Sequence, residues 1–150
     1  MQEITYANQH DLRLAQLLSK RQADWRNGAV VYQVFVDRFA PPKNLDAKVH
    51  LYPVEAQLHH WNDRPKKGQK LPDVGVWSHE IDFWGGDLLS LQAQLSYIVS
   101  LGVDVLYLTP IQKAFTNHKY DALDYFEVSP EYGNRQSVIE LANALHENGM

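Results

Sequence analysis

The stretch FWGGDLLSLQAQLSYIVSLGVDVLYLTPIQKAFTNHKYDALDYFEVSPEYG, residues 83–133, decides the fold class of this chain. Gly85 and Gly86 permit a tight turn, and Asp87 can cap a helix whose apolar residues recur at helical spacing until Gly102. The apolar run VDVLYL and a Thr-Pro step follow, as is typical of a buried strand that ends in a loop. The stretch therefore predicts a turn, an amphipathic helix, a buried strand and a polar loop rich in aromatic residues.

A second buried strand precedes the turn. Residues 29–36 read AVVYQVFV, which is too apolar on both faces for an open antiparallel sheet. The next strand is predicted at residues 103–108, with the helix between the two. This order of strand, helix and strand predicts parallel pairing through a right-handed crossover.

A second amphipathic helix is predicted after the loop at residues 111–132, with Asn134 as its cap and Gly149 near its end. Its predicted core face consists of Val138, Leu141, Ala142 and Leu145. Two such units cannot cover both faces of their own sheet, and a complete (β/α)8 barrel needs about 250 residues. We therefore predict an α/β fold: the first two βα units of a (β/α)8 TIM barrel in residues 29–150, with the remainder of the barrel outside this chain.

Two further segments complete the predicted organisation. Residues 1–28 are predicted to be an N-terminal helical extension, with a helix from Asp11 to Arg26. Residues 40–82 form a long loop after the first strand, and a loop of this length is usually functional or disordered. Its histidines and tryptophans could line a ligand site, but adjacent histidines diverge, and packing is the commoner fate of tryptophan. These residues, with one tryptophan just beyond the loop, are His59, His60, Trp61, Trp77, His79 and Trp84.

Composition excludes several classes of function. The chain has no cysteine, which removes disulfides, thiolate metal sites and a cysteine nucleophile. A formal net charge of −4 with scattered basic residues offers no stripe for nucleic acid. No apolar run approaches the ~20 residues of a membrane span. Because residues 1–24 also lack a signal-peptide pattern, the sequence predicts a cytoplasmic protein with no nucleic-acid or membrane partner.

The loop after the second strand holds four candidate binding residues, Asn117, His118, Tyr120 and Asp121. A sugar presents hydroxyl groups at its rim and C–H groups on its faces, so its site needs polar partners beside a flat aromatic ring. These four residues supply that mixture. The alternative is that the aromatic residues pack as the core of the loop while the acids cap turns, and composition alone favours this alternative.

Four motifs in this order resemble the α-amylase family of glycoside hydrolases. The first strand carries YQ followed by DRF at residues 32–39, and the turn reads GGDL at residues 85–88. Residues 101–111 contain LGV and then LTPI. Residues 117–128, NHKYD followed by DYFEV, are similar to the cyclomaltodextrinase, neopullulanase and maltogenic amylase branch of that family.

The resemblance implies a glycoside hydrolase that cleaves α-glucosidic bonds of starch-like glucans, maltooligosaccharides or cyclodextrins with a retaining double-displacement mechanism. A retaining enzyme needs a carboxylate nucleophile and a carboxylic acid about 5–5.5 Å apart. In the family these residues lie on later strands, so none of the catalytic residues is expected in this chain, which is predicted to be inactive alone. The alternatives are a transglycosylase or isomerase of the same family and a non-catalytic barrel used as a binding scaffold.

The resemblance also implies roles for individual residues. Tyr120 is expected to stack against the glucose ring on the non-reducing side of the scissile bond. Asn117 and His118 are expected to line the same pocket, and Asp121 to support it. Asp37 and Arg38 are expected to fix the loops above the first strand. The nearby carboxylates are expected to be loop and turn residues rather than a catalytic pair: Asp124, Glu127 and Glu131.

No cofactor is required by this interpretation, and calcium is the one metal that the branch suggests. Members often bind calcium between a cluster after the first strand and the GGD turn. The candidate ligands here are Asn44, Asp46 and Asp87, which fall short of the six or more oxygens that calcium needs. The branch also carries an N-terminal β-domain used in dimerisation, for which about 28 residues are too few, so the oligomeric state stays open.

Overall fold

The computed structural model describes residues 6–150, and the chain divides into two compact units, residues 1–30 and residues 31–150. The described part of the first unit contains one helix, α1 (Tyr6–Ala23). The helix begins and ends earlier than the sequence predicts. Its end is explained by Asp24, whose carboxylate accepts hydrogen bonds from the backbone and guanidinium of Arg26 and closes a turn. Among residues 6–150, no helix combines the length and hydropathy needed to cross a bilayer.

The second unit is an α/β arrangement of short strands and helices. Three short 3₁₀ helices lie in its loops, at Val36–Arg38, Asp46–Leu51 and Ser78–Glu80. In chain order its strands and helices are β1 (Val31–Val34), β2 (Gln57–Leu58), β3 (Lys70–Leu71), β4 (Val76–Trp77), β5 (Asp82–Phe83), α2 (Leu88–Ala93), α3 (Leu95–Ser100), β6 (Val105–Leu108), β7 (Gln112–Ala114), β8 (Ala122–Val128) and α4 (Arg135–Glu147).

The two strands predicted to be buried pair in parallel as the sequence predicts, although in this chain β1 buries only Val34 and β6 has no fully buried residue. β1 and β6 run parallel, in a register that places Val31 beside Val105 and Val34 beside Leu108. The main core lies beside this pair, where α2 and α4 also pack together. Its fully buried residues are Val34, Val36, Leu88, Leu91, Tyr132 and Leu141. The α/β fold is therefore confirmed, and the pair sets the edge at which the functional loops gather.

The helix predicted between these strands is interrupted at Gln94. The N–H of Gln94 bonds to the carbonyl of Leu91, a tighter contact than an α-helical bond, and its backbone leaves the helical region with φ −101° and ψ 12°. Asp87 caps α2 as predicted, because its side chain accepts the N–H of Ser90. Leu95 and Ile98 remain buried on α3, so the apolar face continues across the break.

Residues 40–82 are more ordered than a plain loop. β2 pairs in parallel with β5, and β3 pairs antiparallel with β4. Tyr52, Ile81 and Phe83 form a second, smaller core beneath them. Because this segment has its own core, it forms an ordered surface beside the end of β1.

The prediction of a loop at residues 111–132 is wrong in part, since β7 and β8 form an antiparallel hairpin there. The pairing contains register shifts, and β8 leaves Tyr125 and Phe126 exposed. Strand residues without a polar and apolar alternation give no period-2 signal, which explains the error. By contrast, α4 begins at its predicted cap, because Asn134 accepts the N–H of Ser137.

Candidate functional site

Asp37 joins the end of β1 to the glycine turn. Its carboxylate is fully buried and accepts hydrogen bonds from the backbone N–H groups of Trp84 and Gly85 and from Nε of Arg38. The N–H of Gly86 bonds to the Asp37 carbonyl at 3.1 Å. Burial raises the pKa of Asp37, and these hydrogen bonds oppose the rise. We call this set of residues the strand-turn joint.

Arg38 extends the joint toward the open edge. Its guanidinium lies 3.8 Å from the centroid of the Trp84 ring and donates to the carbonyl of Asp82 at 2.8 Å. The ring of His59 also stacks on Trp84, at 4.5 Å, and its Nε2 lies 2.9 Å from Oδ1 of Asp82. The stacked groups build a flat surface with polar edges. Asp37 and Arg38 were expected to fix the loops above the first strand, and their hydrogen bonds join the end of β1 to residues 82–85.

Asn117 connects the hairpin to the long loop. Its side chain is buried and donates both amide hydrogens, to the carbonyls of His79 at 2.7 Å and Asp82 at 2.8 Å. Its own N–H bonds to the carbonyl of Glu80, and its carbonyl accepts the hydroxyl of Tyr132. With both donors used, this amide fixes two segments against each other and has no hydrogen left for a ligand.

His118 and Tyr120 form a ring pair at the edge of the site. Their ring centroids are 5.8 Å apart, and the N–H of Tyr120 donates to Nδ1 of His118 at 3.1 Å. Nδ1 also lies 3.0 Å from the hydroxyl oxygen of Thr116, and Nε2 lies 3.3 Å from the Glu80 carboxylate. The pKa of Glu80 is lowered, chiefly by the N–H of Trp77 and also by His118.

Asp121 holds the start of the same loop. Its carboxylate accepts the N–H groups of Phe115 and Thr116 and the hydroxyl of Thr116. Burial works to raise the pKa of Asp121, but the hydrogen bonds from Thr116 outweigh it, so the pKa lies below the usual value. The carboxylate of Asp121 thus fixes the conformation of the loop behind the ring pair.

These elements surround an open cleft of about 520 Å³. Of the four residues predicted from sequence, Asn117 and His118 line it, while Asp121 lies behind and Tyr120 lies at the edge as the more exposed half of the ring pair. Asp82 and Lys66 also line the cleft, but the sequence did not predict them as site residues. The position of Asp82 just before the glycine turn could have indicated it, whereas no sequence signal marked Lys66.

Two of the acids near the hairpin have partners in the structure. Glu131 is buried in an ion pair with Lys119, and Asp124 accepts the N–H of Phe126 at 2.8 Å. Glu131 lies in the turn before α4, as expected, whereas Asp124 and Glu127 lie within strand β8, so the expectation of loop positions is wrong for these two.

Two of the three candidate calcium ligands, Asn44 and Asp87, are engaged with other partners, and Asp46 begins the 3₁₀ helix Asp46–Leu51. Asn44 accepts the N–H of Ala47, and Asp87 caps α2 with one oxygen. The second oxygen of Asp87 pairs with Nζ of Lys48 at 2.8 Å, and that ammonium also donates to the carbonyl of Gly85 at 2.9 Å. Within the described range 6–150, no three His, Cys, Asp or Glu side chains cluster as metal ligands. A lysine ammonium thus lies beside the oxygens that a cation at this turn would need.

This geometry assigns the positive charge beside Asp87 to the ammonium group of Lys48. Lys48→Met should lower the free energy of unfolding by about 1.5–3 kcal/mol, because it removes two charge-assisted hydrogen bonds. Lys67→Met, at an exposed lysine of the same loop, is the control and should change nothing. Chemical denaturation measures the effect, and equal stability of the two variants would contradict the assignment.

Comparison with known proteins identifies relatives of this architecture. Residues 33–150 match the family model described as "Alpha amylase, catalytic domain". The chain is 37% identical over 137 residues to an amylopullulanase of Thermoanaerobacterium saccharolyticum, covering 85% of this chain and 10% of that protein. It is 39% identical over 127 residues to the intracellular maltogenic amylase of Bacillus subtilis (strain 168), covering 85% and 18%. The chain thus spans between a tenth and a fifth of these relatives.

Solved structures agree with the sequence matches. The ligand-free cyclic α-maltosyl-(1→6)-maltose hydrolase from Arthrobacter globiformis superimposes with a TM-score of 0.63 at 35% identity, over 85% of this chain and 24% of that one. The type III pullulan hydrolase from Thermococcus kodakarensis gives a TM-score of 0.65 at 28% identity, over 84% and 22%.

Proposed function

The chain belongs to the α-amylase family, and from that membership we propose that the complete protein hydrolyses α-glucosidic bonds of starch-like glucans, maltooligosaccharides or cyclodextrins. The observation that carries the proposal is the cleft, where an imidazole and a stacked arginine–tryptophan surface stand beside an exposed tyrosine ring. Flat aromatic faces with polar groups at their edges suit sugar rings. The Arthrobacter relative has been solved in complex with maltose, which supports the same substrate class here.

We assign this chain the first two βα units of a (β/α)8 barrel. The parallel pair of β1 and β6 supports this assignment, since both strands carry exposed apolar residues such as Val31 and Tyr107. In such barrels the substrate site lies at the carboxyl ends of the strands, where the strand-turn joint and the ring pair are found. The carboxylates of the retaining mechanism are proposed to lie beyond residue 150, with the nucleophile forming a glycosyl-enzyme intermediate that water then hydrolyses.

The proposed roles follow the geometry of the cleft. Tyr120 packs its exposed ring against the glucose unit on the non-reducing side of the scissile bond. His118 presents its imidazole ring to the same unit. Asn117 acts differently from a ligand, because both of its amide hydrogens are donated to backbone carbonyls. Its role is to hold the wall of the cleft, as Asp121 holds the loop behind it.

A cytoplasmic location is part of the proposal. Its support is the 39% identity to a relative named as intracellular, the maltogenic amylase of Bacillus subtilis. Internal maltooligosaccharides would then be a natural substrate pool for the complete protein.

Assays of the complete protein on maltotetraose and β-cyclodextrin test the proposed activity. We expect release of the α-anomer as the first product, observed by proton NMR, because the proposed mechanism retains configuration. Absence of cleavage and of glucosyl transfer on either substrate would refute the enzymatic proposal. Transfer to a second sugar in place of water would identify the transglycosylase alternative.

Tyr120→Ala tests the cleft itself. We expect kcat/KM to fall ~10- to 100-fold, about 1.4–2.7 kcal/mol of transition-state binding, since the ring that covers the sugar is removed. Tyr120→Phe keeps the ring and is the matched control, with kcat/KM within about threefold of the unmodified protein. Because Tyr120 is exposed, neither change should alter the melting temperature. Equal kcat/KM for the alanine variant would remove Tyr120 from the site.

A further inference from the structure

Lys119 lies between the two residues of the ring pair and points the opposite way. Its backbone φ is 61°, and across residues 6–150 it is the one residue other than glycine in the left-handed region. Its side chain is fully buried, whereas Tyr120 is 65% exposed. The left-handed conformation is unfavourable for a residue that has a Cβ atom, so contacts with the surrounding structure must stabilise it.

The ammonium group of Lys119 provides those contacts. It forms an ion pair with the buried carboxylate of Glu131, which also accepts the hydroxyl of Ser129 at 2.8 Å. Nζ lies 5.2 Å from the centroid of the Phe83 ring and 4.9 Å from that of Tyr132. The charge is therefore satisfied by one acid and two aromatic faces in the interior.

The backbone around Lys119 is fixed from the same side. The Gln112 side chain donates to the Lys119 carbonyl at 3.1 Å, and the Tyr132 hydroxyl donates to the Asn117 carbonyl at 2.8 Å. The segment from Asn117 to Tyr120 is thus held from below, with its two rings on the opposite side.

Stability alone does not require a buried ion pair here. Replacing such a pair by uncharged residues of similar volume is often neutral or stabilising, because removing two charges from water is costly. A charge that needs one specific partner does, however, allow only one placement of the loop. A positioning role therefore predicts that removing the ion pair changes the placement of the loop, whereas a purely structural role predicts a change in stability alone.

We propose that Lys119 is a positioning residue whose buried ion pair with Glu131 holds the left-handed turn and so sets the placement of the His118 ring in the cleft and of the Tyr120 ring at its edge. The expected effect on catalysis rests on the proposed function. The placement of the rings can be measured whether or not the protein is active.

The test uses the complete protein with Lys119→Met and Glu131→Gln combined. Both charges are removed with little change in shape, so we expect the variant to fold. We expect KM for maltotetraose to rise and kcat/KM to fall ~10- to 100-fold, because displaced rings no longer orient the sugar. Lys113→Met, at an exposed lysine of the same hairpin, is the control and should leave both constants unchanged.

The outcomes distinguish the competing explanations. A role in folding alone would reduce the folded fraction and hence the apparent kcat, while KM would stay the same. Unchanged KM and kcat in a folded double variant would overturn the proposal. If that variant does not fold, Glu131→Gln alone should raise KM ~3- to 10-fold, and an unchanged KM would overturn the proposal equally.

A crystal structure of the variant decides the same question without an assay. The ring centroids of His118 and Tyr120 are 5.8 Å apart, and the proposal predicts that this arrangement changes by more than about 1 Å. An unmoved ring pair would overturn the inference. Inactivity of the unmodified protein on α-glucans would count against the proposed function alone, since the ring geometry would still decide the role of Lys119.

Discussion

Gly86→Ala is expected to separate the end of β1 from the glycine turn and to destabilise the complete protein severely. A Cβ at this position would lie 2.3 Å from the carbonyl oxygen of Val36 and 2.8 Å from that of Asp37. Both are backbone atoms, so no side chain can rotate away. The clash also breaks the hydrogen bond from the Gly86 N–H to Asp37. We expect a loss of about 3 kcal/mol or more from the free energy of unfolding.

Thermal unfolding measures this effect. A loss of this size should lower the melting temperature by at least ~5 °C. Gly102→Ala is the matched control: a Cβ there meets no atom within 4 Å, but the φ of +68° makes the backbone costly for alanine. It should lose only about 1–2 kcal/mol. If the two variants melt together, steric contact at Gly86 is not what holds the turn.

Asp37→Asn is expected to have a comparable effect through hydrogen bonding. One oxygen of Asp37 accepts the N–H groups of Trp84 and Gly85, and the other accepts Nε of Arg38 and the Trp84 N–H. Because each oxygen faces a donor, either orientation of an asparagine amide places a donor against a donor. Leaving the partners of a buried charge unpaired costs about 3–5 kcal/mol.

The same substitution at an exposed carboxylate is the control. Asp24 also pairs with an arginine, Arg26, but on the surface, so Asp24→Asn should leave the melting temperature unchanged. An unchanged melting temperature for Asp37→Asn at pH 7 would show that the hydrogen bonds of this carboxylate do not hold the strand-turn joint together.

The parts of the fold that sequence predicted are those governed by local or periodic signals. The parallel strands were predicted from apolar runs, and the caps at Asp87 and Asn134 from side chains that accept the N–H three positions later. The β7–β8 hairpin and the second core of the long loop had no such signal. Their strands are short or lack alternation, so pairing depends on tertiary contacts that a single sequence does not display.

The candidate site divides in the same way. Residue types in the loop after β6 indicated sugar-binding chemistry, and His118 indeed lines the cleft. The use of the Asn117 amide could not be predicted, because its partners, the carbonyls of His79 and Asp82, are 38 and 35 residues away. The inward direction of Lys119 was hidden too, since the turn that produces it depends on Glu131 in the interior.

The strand-turn joint also bears on how the protein acquires its fold. Asp37 meets Trp84 at a sequence separation of 47 residues, and Asn117 bonds back to His79 of the long loop at a separation of 38. Such non-local bonds raise the contact order, and closing long loops before any contact forms slows folding. During synthesis the Asp37 carboxylate emerges before Trp84 and Gly85, so its set of donors is complete only after Gly85 has been added. The strand-turn joint and the cleft beside it are thus expected to form later than the local helices of this chain, which leaves this stretch exposed to chaperones and proteases in the interval.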